Sequence, residues 1–257
     1  MIRPKRELCT GDARSRPLTT AMNVALSEDR VLHDDGALLA IDKPAGLPCD
    51  QTLDPRRPHL RAWVSAWAEA RGATSPGLLH RLDLQTTGVV LFGWTKAARR
   101  AVTEAFRARE VEKRYVALVE AEALGADAEP GATWRTSGYL GEAARVGKQT
   151  RMGAVTRGGK HAETAFRTLT HVGAALALVE ARPLTGRRHQ IRAHLAERGA
   201  PIVGDALYGS DASAPRLWLH AYSAALAHPA DGARWEVRAP LPADWPVRAE
   251  ERGALEG

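Results

Sequence analysis

The chain has 257 residues, long enough to bury a sizeable core as one large domain or two small ones. Hydrophobic residues make up 44% and charged residues 26%, which is typical of a folded soluble protein and excludes a disordered one. The 36 basic residues exceed the 30 acidic ones, for a net charge of +6. This excess suits a polyanionic partner, such as nucleic acid or a membrane surface.

The number of cysteines and the length of the apolar runs indicate the cellular compartment in which the protein works. Cys9 and Cys49 are the only cysteines, too few for a disulfide framework and without metal-site spacing. The N-terminal stretch is basic and lacks the apolar run of a secretory signal. No segment approaches the roughly 18 uninterrupted apolar residues of a membrane helix. We therefore expect a cytoplasmic protein with no membrane partner.

Residues 1–28 mix basic residues, threonine and proline without periodicity, which predicts a flexible basic arm, and residues 29–257 are predicted to form a single domain. Thr95 is a candidate N-cap, and Gly72 and Gly199 are candidate helix stops. Helices are predicted over residues 59–72, 96–109 and 190–198. Strands are predicted over residues 37–41, 89–92, 114–119, 162–170, 174–181, 217–220 and 235–239. Residues 121–160 are expected to form short strands joined by long loops. Without a regular β–α–β rhythm, this order favours an α+β fold with a mixed sheet.

Three polar clusters stand beside predicted apolar strands. They are HRLDLQTTG (residues 80–88), KRY (residues 113–115) and LTGRRHQIRAHLAERGAPIVGDALYG (residues 184–209). The last crowds arginines, histidines and a glutamine around the start of a predicted helix. A turn that caps a strand would explain the first cluster, and so would an active site.

The common catalytic motifs are missing from these clusters. His189 and His194 are five residues apart, unlike the i, i+4 pair of a zinc protease, and the arginines beside His80 and Asp83 would repel a dication. The chain also lacks a G-x-S-x-G elbow, a phosphate-binding GxxxxGK[ST] loop and a recognisable carboxylate pair. We therefore expect no metal.

The remaining candidate for catalysis is Asp83, an aspartate that lies among arginines in the sequence. A neighbouring arginine favours the charged form of a carboxylate, which can then act as a nucleophile or as a base. The same arginines can bind phosphate oxygens through forked hydrogen bonds. This combination suits a nucleotide or RNA substrate, although a structural Asp–Arg pair at a turn accounts for the spacing equally well.

The motif HRLDLQTTG resembles the H-R-L-D-x-x-T-S/T-G signature of the RluA-type RNA pseudouridine synthases. Asp42 stands where the family usually has asparagine, and Thr87 where serine is common; neither change removes an essential group. The resemblance extends in order over roughly residues 31–246. The similar blocks are DDGALLAIDKPAGL, KRYVALV, GGKHAETAF, TGRRHQIRAHLAERGAPIVGDALYG, RLWLHAYSAALAHPADG and APLPADW.

The resemblance implies a mixed, largely antiparallel central β-sheet flanked by helices and loops. It implies conversion of uridine in RNA to pseudouridine, with Asp83 as the catalytic aspartate, either a nucleophile or the group that opens a glycal route. Arg192 matches the arginine that pairs with this carboxylate. Tyr115 matches the tyrosine that stacks on the target base and assists the closing proton transfer.

Further residues are expected to contact the substrate. Arg81 matches a residue implicated in RNA contact, and we expect His80, Lys113 and Arg187 to contribute to RNA binding as well. His189, Gln190 and His194 are expected to be structural. The predicted partner is tRNA, large-subunit ribosomal RNA or both.

The resemblance is to compact members of the family without an N-terminal RNA-binding module. We expect a monomer that needs no cofactor and no protein partner, since isomerisation changes neither atom count nor redox state. Two other classes stay open. One is an RNA-binding or ribosome-assembly protein that has lost catalysis, and the other is a nucleotide-directed hydrolase with Asp83 as base.

Overall fold

The computed structural model describes residues 27–147, 149–209 and 214–255. Residues 1–26 of the predicted N-terminal arm lie outside this range. The strands are β1 Val31–Asp34, β2 Leu38–Lys43, β3 Gly77–Leu78, β4 Thr87–Gly93, β5 Glu112–Glu120, β6 Thr133–Val146, β7 Gln149–Ala154, β8 Lys160–Val172, β9 Leu176–Pro183, β10 Leu219–Ala227 and β11 Arg234–Arg238. The helices are α1 Leu60–Glu69, α2 Lys96–Ala108, α3 Ala121–Leu124, α4 Gln190–Glu197 and α5 Ala249–Arg252.

In the described part of the chain, eleven strands form a single sheet. The main path runs β1-β2-β4-β10-β5-β9-β8-β6-β7, with β3 beside β4 and β11 beside β10. The β4–β10 pair is parallel, and the other pairings in this sheet are antiparallel. The expected mixed, largely antiparallel α+β fold is confirmed. Every helix in the described residues is too short or too polar to cross a lipid bilayer.

Local sequence explains the two longest helices. The hydroxyl of Thr95 accepts a hydrogen bond from the backbone N–H of Ala98 at 3.0 Å, so Thr95 is the N-cap of α2 as predicted. Arg109 ends α2 in a left-handed conformation, with φ 64°. Helix α1 buries Leu60 and Val64 against β2 and β4. These two residues are four positions apart, so they lie on one side of the helix and mark its core face.

The prediction for residues 121–160 is wrong. In place of short strands and long loops, β6 extends over 14 residues and pairs with β7 and β8. Most β6 side chains are half-buried or exposed, so the strand lacks the apolar alternation that marks a half-buried strand. Cross-strand contacts such as Trp134 stacked on Phe166, with centroids 5.2 Å apart, stabilise it instead.

Strand β10 lies at the centre of the sheet and extends beyond the predicted residues 217–220. It pairs with β4 through His220 and Ala221, with β5 along its length, and with β11 from Ser223 onward. Eight of its nine residues are buried. Because the strand is buried on both faces and includes His220 and Ser223, it shows no alternation of apolar and polar residues from which its length could be predicted.

Candidate active site

Asp83 lies in the loop between β3 and β4, where the backbone turns into the sheet. The N–H of Thr86 donates to the carbonyl of Asp83 at 3.2 Å, which closes a tight turn at the start of β4. The Asp83 side chain is 27% exposed, so its carboxylate can meet a ligand. The strand behind it is buried along all seven residues. The motif therefore does cap a strand, and the cap presents the carboxylate.

Arg192, in α4, contacts that carboxylate. Its Nη1 donates to Asp83 Oδ2 at 3.1 Å. The other edge of the guanidinium forms a fork with Asp205, through Nε to Oδ2 at 2.7 Å and Nη2 to Oδ1 at 2.9 Å. Burial opposes the charge of Arg192, but the hydrogen bonds and charges of Asp205 and Asp83 outweigh it and raise the arginine pKa. Arg192 is therefore a fixed cation between two carboxylates.

Tyr208 and His189 complete the surroundings of Arg192. The Arg192 guanidinium carbon lies 5.1 Å from the centre of the Tyr208 ring. The Tyr208 hydroxyl accepts a hydrogen bond from the N–H of Met152 in β7 at 3.0 Å, so the β6–β7 hairpin is joined to this side of the site. His189 Nε2 lies 3.8 Å from Asp83 Oδ2, and burial lowers the pKa of this imidazole to about 4 despite the nearby carboxylate. Tyr208 lies in the segment that resembles the family, but its place beside Arg192 is visible only in the fold.

Tyr115 lies in β5, in register with Ala221 of β10 and Ala181 of β9. Burial raises the pKa of the phenol, and the negative charge of Asp83 raises it further. The phenol is thus protonated at neutral pH and lies within electrostatic range of Asp83.

Lys43 is a site residue that the sequence reasoning missed. It is fully buried at the end of β2, and its Nζ donates to the carbonyls of Pro44, Leu47 and Leu84 at 2.8, 3.0 and 3.1 Å. Burial lowers the pKa of this amine to about 8. The Leu84 carbonyl also accepts from Gly46 N–H at 2.9 Å. The turn after β2 therefore holds the Asp83 loop in place.

The predicted RNA contacts lie in different environments. Arg81 is exposed beside Asp83. Lys113 and Arg187 line a cleft of about 700 Å³ near the start of β5 and the end of β9. His80 points inward, where its Nε2 accepts a hydrogen bond from Leu91 N–H at 3.1 Å. Burial, together with the charge of Lys113, lowers the His80 pKa to about 4.

Gln190 and His194 have contacts that suit the structural role expected of them. Gln190 Oε1 accepts from the hydroxyl of Thr185 at 2.6 Å and from Arg187 N–H at 3.0 Å. Gln190 Nε2 donates to the hydroxyl of Thr164 at 2.9 Å, and His194 Nδ1 lies 2.9 Å from the same hydroxyl. These bonds attach the first turn of α4 to β8 and so fix the direction in which Arg192 points.

Comparison with known proteins agrees with this geometry. Residues 37–197 match the family model described as RNA pseudouridylate synthase. The chain is 32% identical to the Escherichia coli K12 protein named dual-specificity RNA pseudouridine synthase RluA, over 82% of this chain and 92% of that one. It is 31% identical to ribosomal large subunit pseudouridine synthase C of Vibrio vulnificus, over 90% of this chain and 71% of that one.

A solved structure shares the fold. Human RNA pseudouridylate synthase domain containing 4 superposes with a TM-score of 0.67 and 26% identity, covering 89% of this chain and 93% of that chain. Sequence match, fold and residue geometry thus agree. The chain belongs to the RluA-type RNA pseudouridine synthase family, whose enzymes isomerise uridine in RNA to pseudouridine.

Proposed function

We propose that this chain modifies a specific uridine in tRNA, large-subunit ribosomal RNA or both, with Asp83 acting on a flipped-out base. The observation that carries the proposal is the 3.1 Å contact between Arg192 and a partly exposed Asp83, with Tyr115 within electrostatic range. The RNA classes are those named for two similar proteins, a dual-specificity enzyme and a large-subunit enzyme.

The reaction needs a carboxylate but no external reagent. The N1–C1′ bond of the uridine breaks, a C5–C1′ bond forms, C5 loses a proton and N1 ends protonated. Asp83 either adds to the sugar carbon or removes a sugar proton to open the glycal route, and the hydrogen bond from Arg192 holds the carboxylate in position in both cases. The protonated phenol of Tyr115 is suited to lie under the base and to assist the closing proton transfer.

The target base must first leave its stack, which costs a few kcal/mol. Stacking on Tyr115 recovers about 1–3 kcal/mol. Arg81 beside the loop, with Lys113 and Arg187 in the cleft, would bind phosphates on either side of the base. His80 contributes by positioning, because its ring nitrogen is engaged with the backbone of β4.

A noncatalytic RNA-binding protein on this fold is the alternative. The hydrogen-bonded Asp83–Arg192 pair argues against it, since RNA binding alone needs no carboxylate beside the substrate. The hydrolase alternative has no observation in its favour.

The Asp83→Asn variant tests the catalytic assignment. Unmodified tRNA and large-subunit rRNA fragments are incubated with each protein, and pseudouridine is mapped by carbodiimide-blocked primer extension. We expect site-specific signal from the native chain and a rate at least about 10³-fold lower from the variant, the scale of losing an essential catalytic group.

Asp244→Asn is the matched control, because Asp244 is an exposed carboxylate paired with Arg216. It should retain full activity. Site-specific pseudouridine formed by Asp83→Asn at the native rate would refute the proposal. RNA binding by the native chain without modification of any tested RNA would favour the noncatalytic alternative.

A further inference from the structure

Four arginines lie in one line across the sheet, and we name this line the arginine row. Strand registers define it: Arg135 of β6 is opposite Ala165 of β8, which is opposite Arg182 of β9. Arg114 of β5 follows, opposite Ser223 of β10, which in turn is opposite Arg238 of β11. Ala165 and Ser223, which lie between the arginines, have short side chains and leave a shallow depression there. The arginine row is thus Arg135, Arg182, Arg114 and Arg238.

The arginine row is long and concave. It crosses six strands, and five inter-strand spacings amount to about 24 Å. A groove of about 440 Å³ contains Arg135, Ala165 and Arg182, and the cleft of about 700 Å³ contains Arg182, Arg114, Ser223 and Arg238. Arg182 lines both, so the two concavities meet there. The four arginines therefore line two adjoining concavities rather than lying scattered over the surface.

Glutamates hold these arginines from the side. Arg135 pairs with Glu163 at 3.0 Å, and Arg238 with Glu236 at 2.9 Å. Arg182 and Arg114 share the buried carboxylate of Glu180, at 2.7 and 2.6 Å.

Each of these glutamates lies two residues along its strand from the line, on the same face of the sheet, and Glu180 and Glu236 line the two concavities together with the arginines. A guanidinium has five N–H donors, and a lateral carboxylate orients it without using them all. The side chains of Arg135, Arg182 and Arg238 are more than half exposed.

The arginine row is outside the catalytic pocket. Side chains alternate between the two faces of a strand, so Arg114 points away from the face on which its neighbour Tyr115 lies. The two regions are nevertheless connected around the ends of the strands. The 700 Å³ cleft that contains Arg238 and Arg182 also contains Arg187 and Lys113, two of the predicted RNA contacts. A single RNA molecule can therefore reach both.

We propose that the arginine row binds the phosphate backbone of an RNA segment that flanks the target uridine, as a second contact surface behind the catalytic face. This inference rests on the proposed function for the identity of the RNA. Forked guanidinium groups in line suit a repeating phosphate chain better than a single ligand. A surface of this length favours a long, structured RNA. A short stem–loop would fit within the catalytic cleft alone.

The test uses the full chain with Arg135, Arg182 and Arg238 each replaced by glutamine. Glutamine keeps a donor for the lateral glutamates, and Arg114 is retained because it is largely buried. The matched control replaces Arg56, Arg100 and Arg248 by glutamine. These are exposed arginines also paired with acids, so the net charge falls from +6 by the same three units.

Two measurements follow. Filter binding of large-subunit rRNA fragments over a salt series should show about 10-fold weaker binding for the triple variant. The slope of log Kd against log salt should be smaller by about 2, because each lost phosphate contact removes about 0.7–0.9. Conversion of a short stem–loop around the modified uridine should stay within twofold of the native rate. The control should match the native chain in both assays.

If the triple variant and the control bind long RNA equally well, the proposal is wrong. This result is also the one expected if the arginine row binds an acidic protein instead of RNA. An equal loss on the short stem–loop would also overturn the proposal, because it would indicate damage to the fold or to the catalytic site. If the native chain modifies no RNA, the proposed function fails, whereas the salt slopes still decide whether the row contacts RNA.

Discussion

At the scale of single residues, the site depends on how the hydrogen-bond donors of the Arg192 guanidinium are shared between two carboxylates. Asp205 is 2% exposed and takes two of the guanidinium nitrogens, which leaves Nη1 directed at Asp83. Asp205 also accepts from Leu207 N–H at 3.2 Å, so its own orientation is fixed. Asp83, the carboxylate that we propose reacts, is the more exposed of the two. In the proposed mechanism, Asp205 is therefore a positioning residue, which acts through Arg192.

Asp205→Asn is expected to lower kcat by about 10- to 100-fold, because a displacement of about 1 Å in a positioned group can cost that much. KM for RNA should change little, since Asp205 is buried away from the substrate. Steady-state kinetics on the modified RNA separates the two constants. Asp244→Asn breaks an equally well-formed fork, to Arg216, at an exposed site, and should change neither. A rise in KM alone for Asp205→Asn would contradict the positioning role.

At the scale of elements, the junction of β4 and β10 sets the position of the Asp83 loop. The strands run parallel there and meet only through His220–Thr87 and Ala221–Gly88. Gly88 has φ +104°, and a Cβ built on it would lie 2.2 Å from the carbonyl oxygen of Ala221. Glycine is required at this position because both the backbone conformation and the space exclude a side chain.

Gly88→Ala is expected to lower the free energy of unfolding by about 3 kcal/mol, from strain in the backbone and overpacking against β10. Urea denaturation followed by circular dichroism measures the change. Gly138→Ala is the control, since Gly138 lies within a strand and an added Cβ meets nothing within 4 Å. If the two variants are equally stable, Gly88 does not lie against the Ala221 carbonyl as closely as the structure shows.

At the scale of the whole molecule, four buried imidazoles make stability depend on pH. Burial lowers the pKa of His80, His189, His194 and His220 to about 4, below the ordinary value of 6.5. As the pH falls through 6.5, the unfolded chain takes up these protons first and the folded chain does not. Stability is therefore fully present above pH 6.5 and is lost progressively toward pH 4.

His194→Gln isolates one of these protons. Its Nε2 has no partner among the described residues, so the substitution removes little besides the titrating group and the contact with Thr164. We expect the slope of unfolding free energy against pH, between pH 6.5 and 4, to fall by up to about 1.4 kcal/mol per pH unit. Urea titrations at several pH values measure it. An unchanged slope would show that His194 does not titrate as its burial indicates.

Much of the fold and site could be predicted because the informative patterns are short and contiguous. Helix α2 follows from Thr95 and the residues after it, and the resemblance of HRLDLQTTG and of the Arg192 segment brought Asp83 and Arg192 together although 109 positions separate them. The β6–β7 hairpin could not be predicted, because its stability comes from pairing with β8 rather than from its own apolar pattern.

The sequence by itself determined the family and pointed to the proposed catalytic carboxylate and its arginine partner, since each lies within a contiguous motif. Only the tertiary structure decided what supports them: Lys43 beneath the Asp83 loop, and Asp205 behind Arg192. The arginine row is likewise a property of register, because its members come from four strands spread over 124 positions of the chain. Strand pairing, which depends on the whole sheet, places such residues side by side, and no local pattern records it.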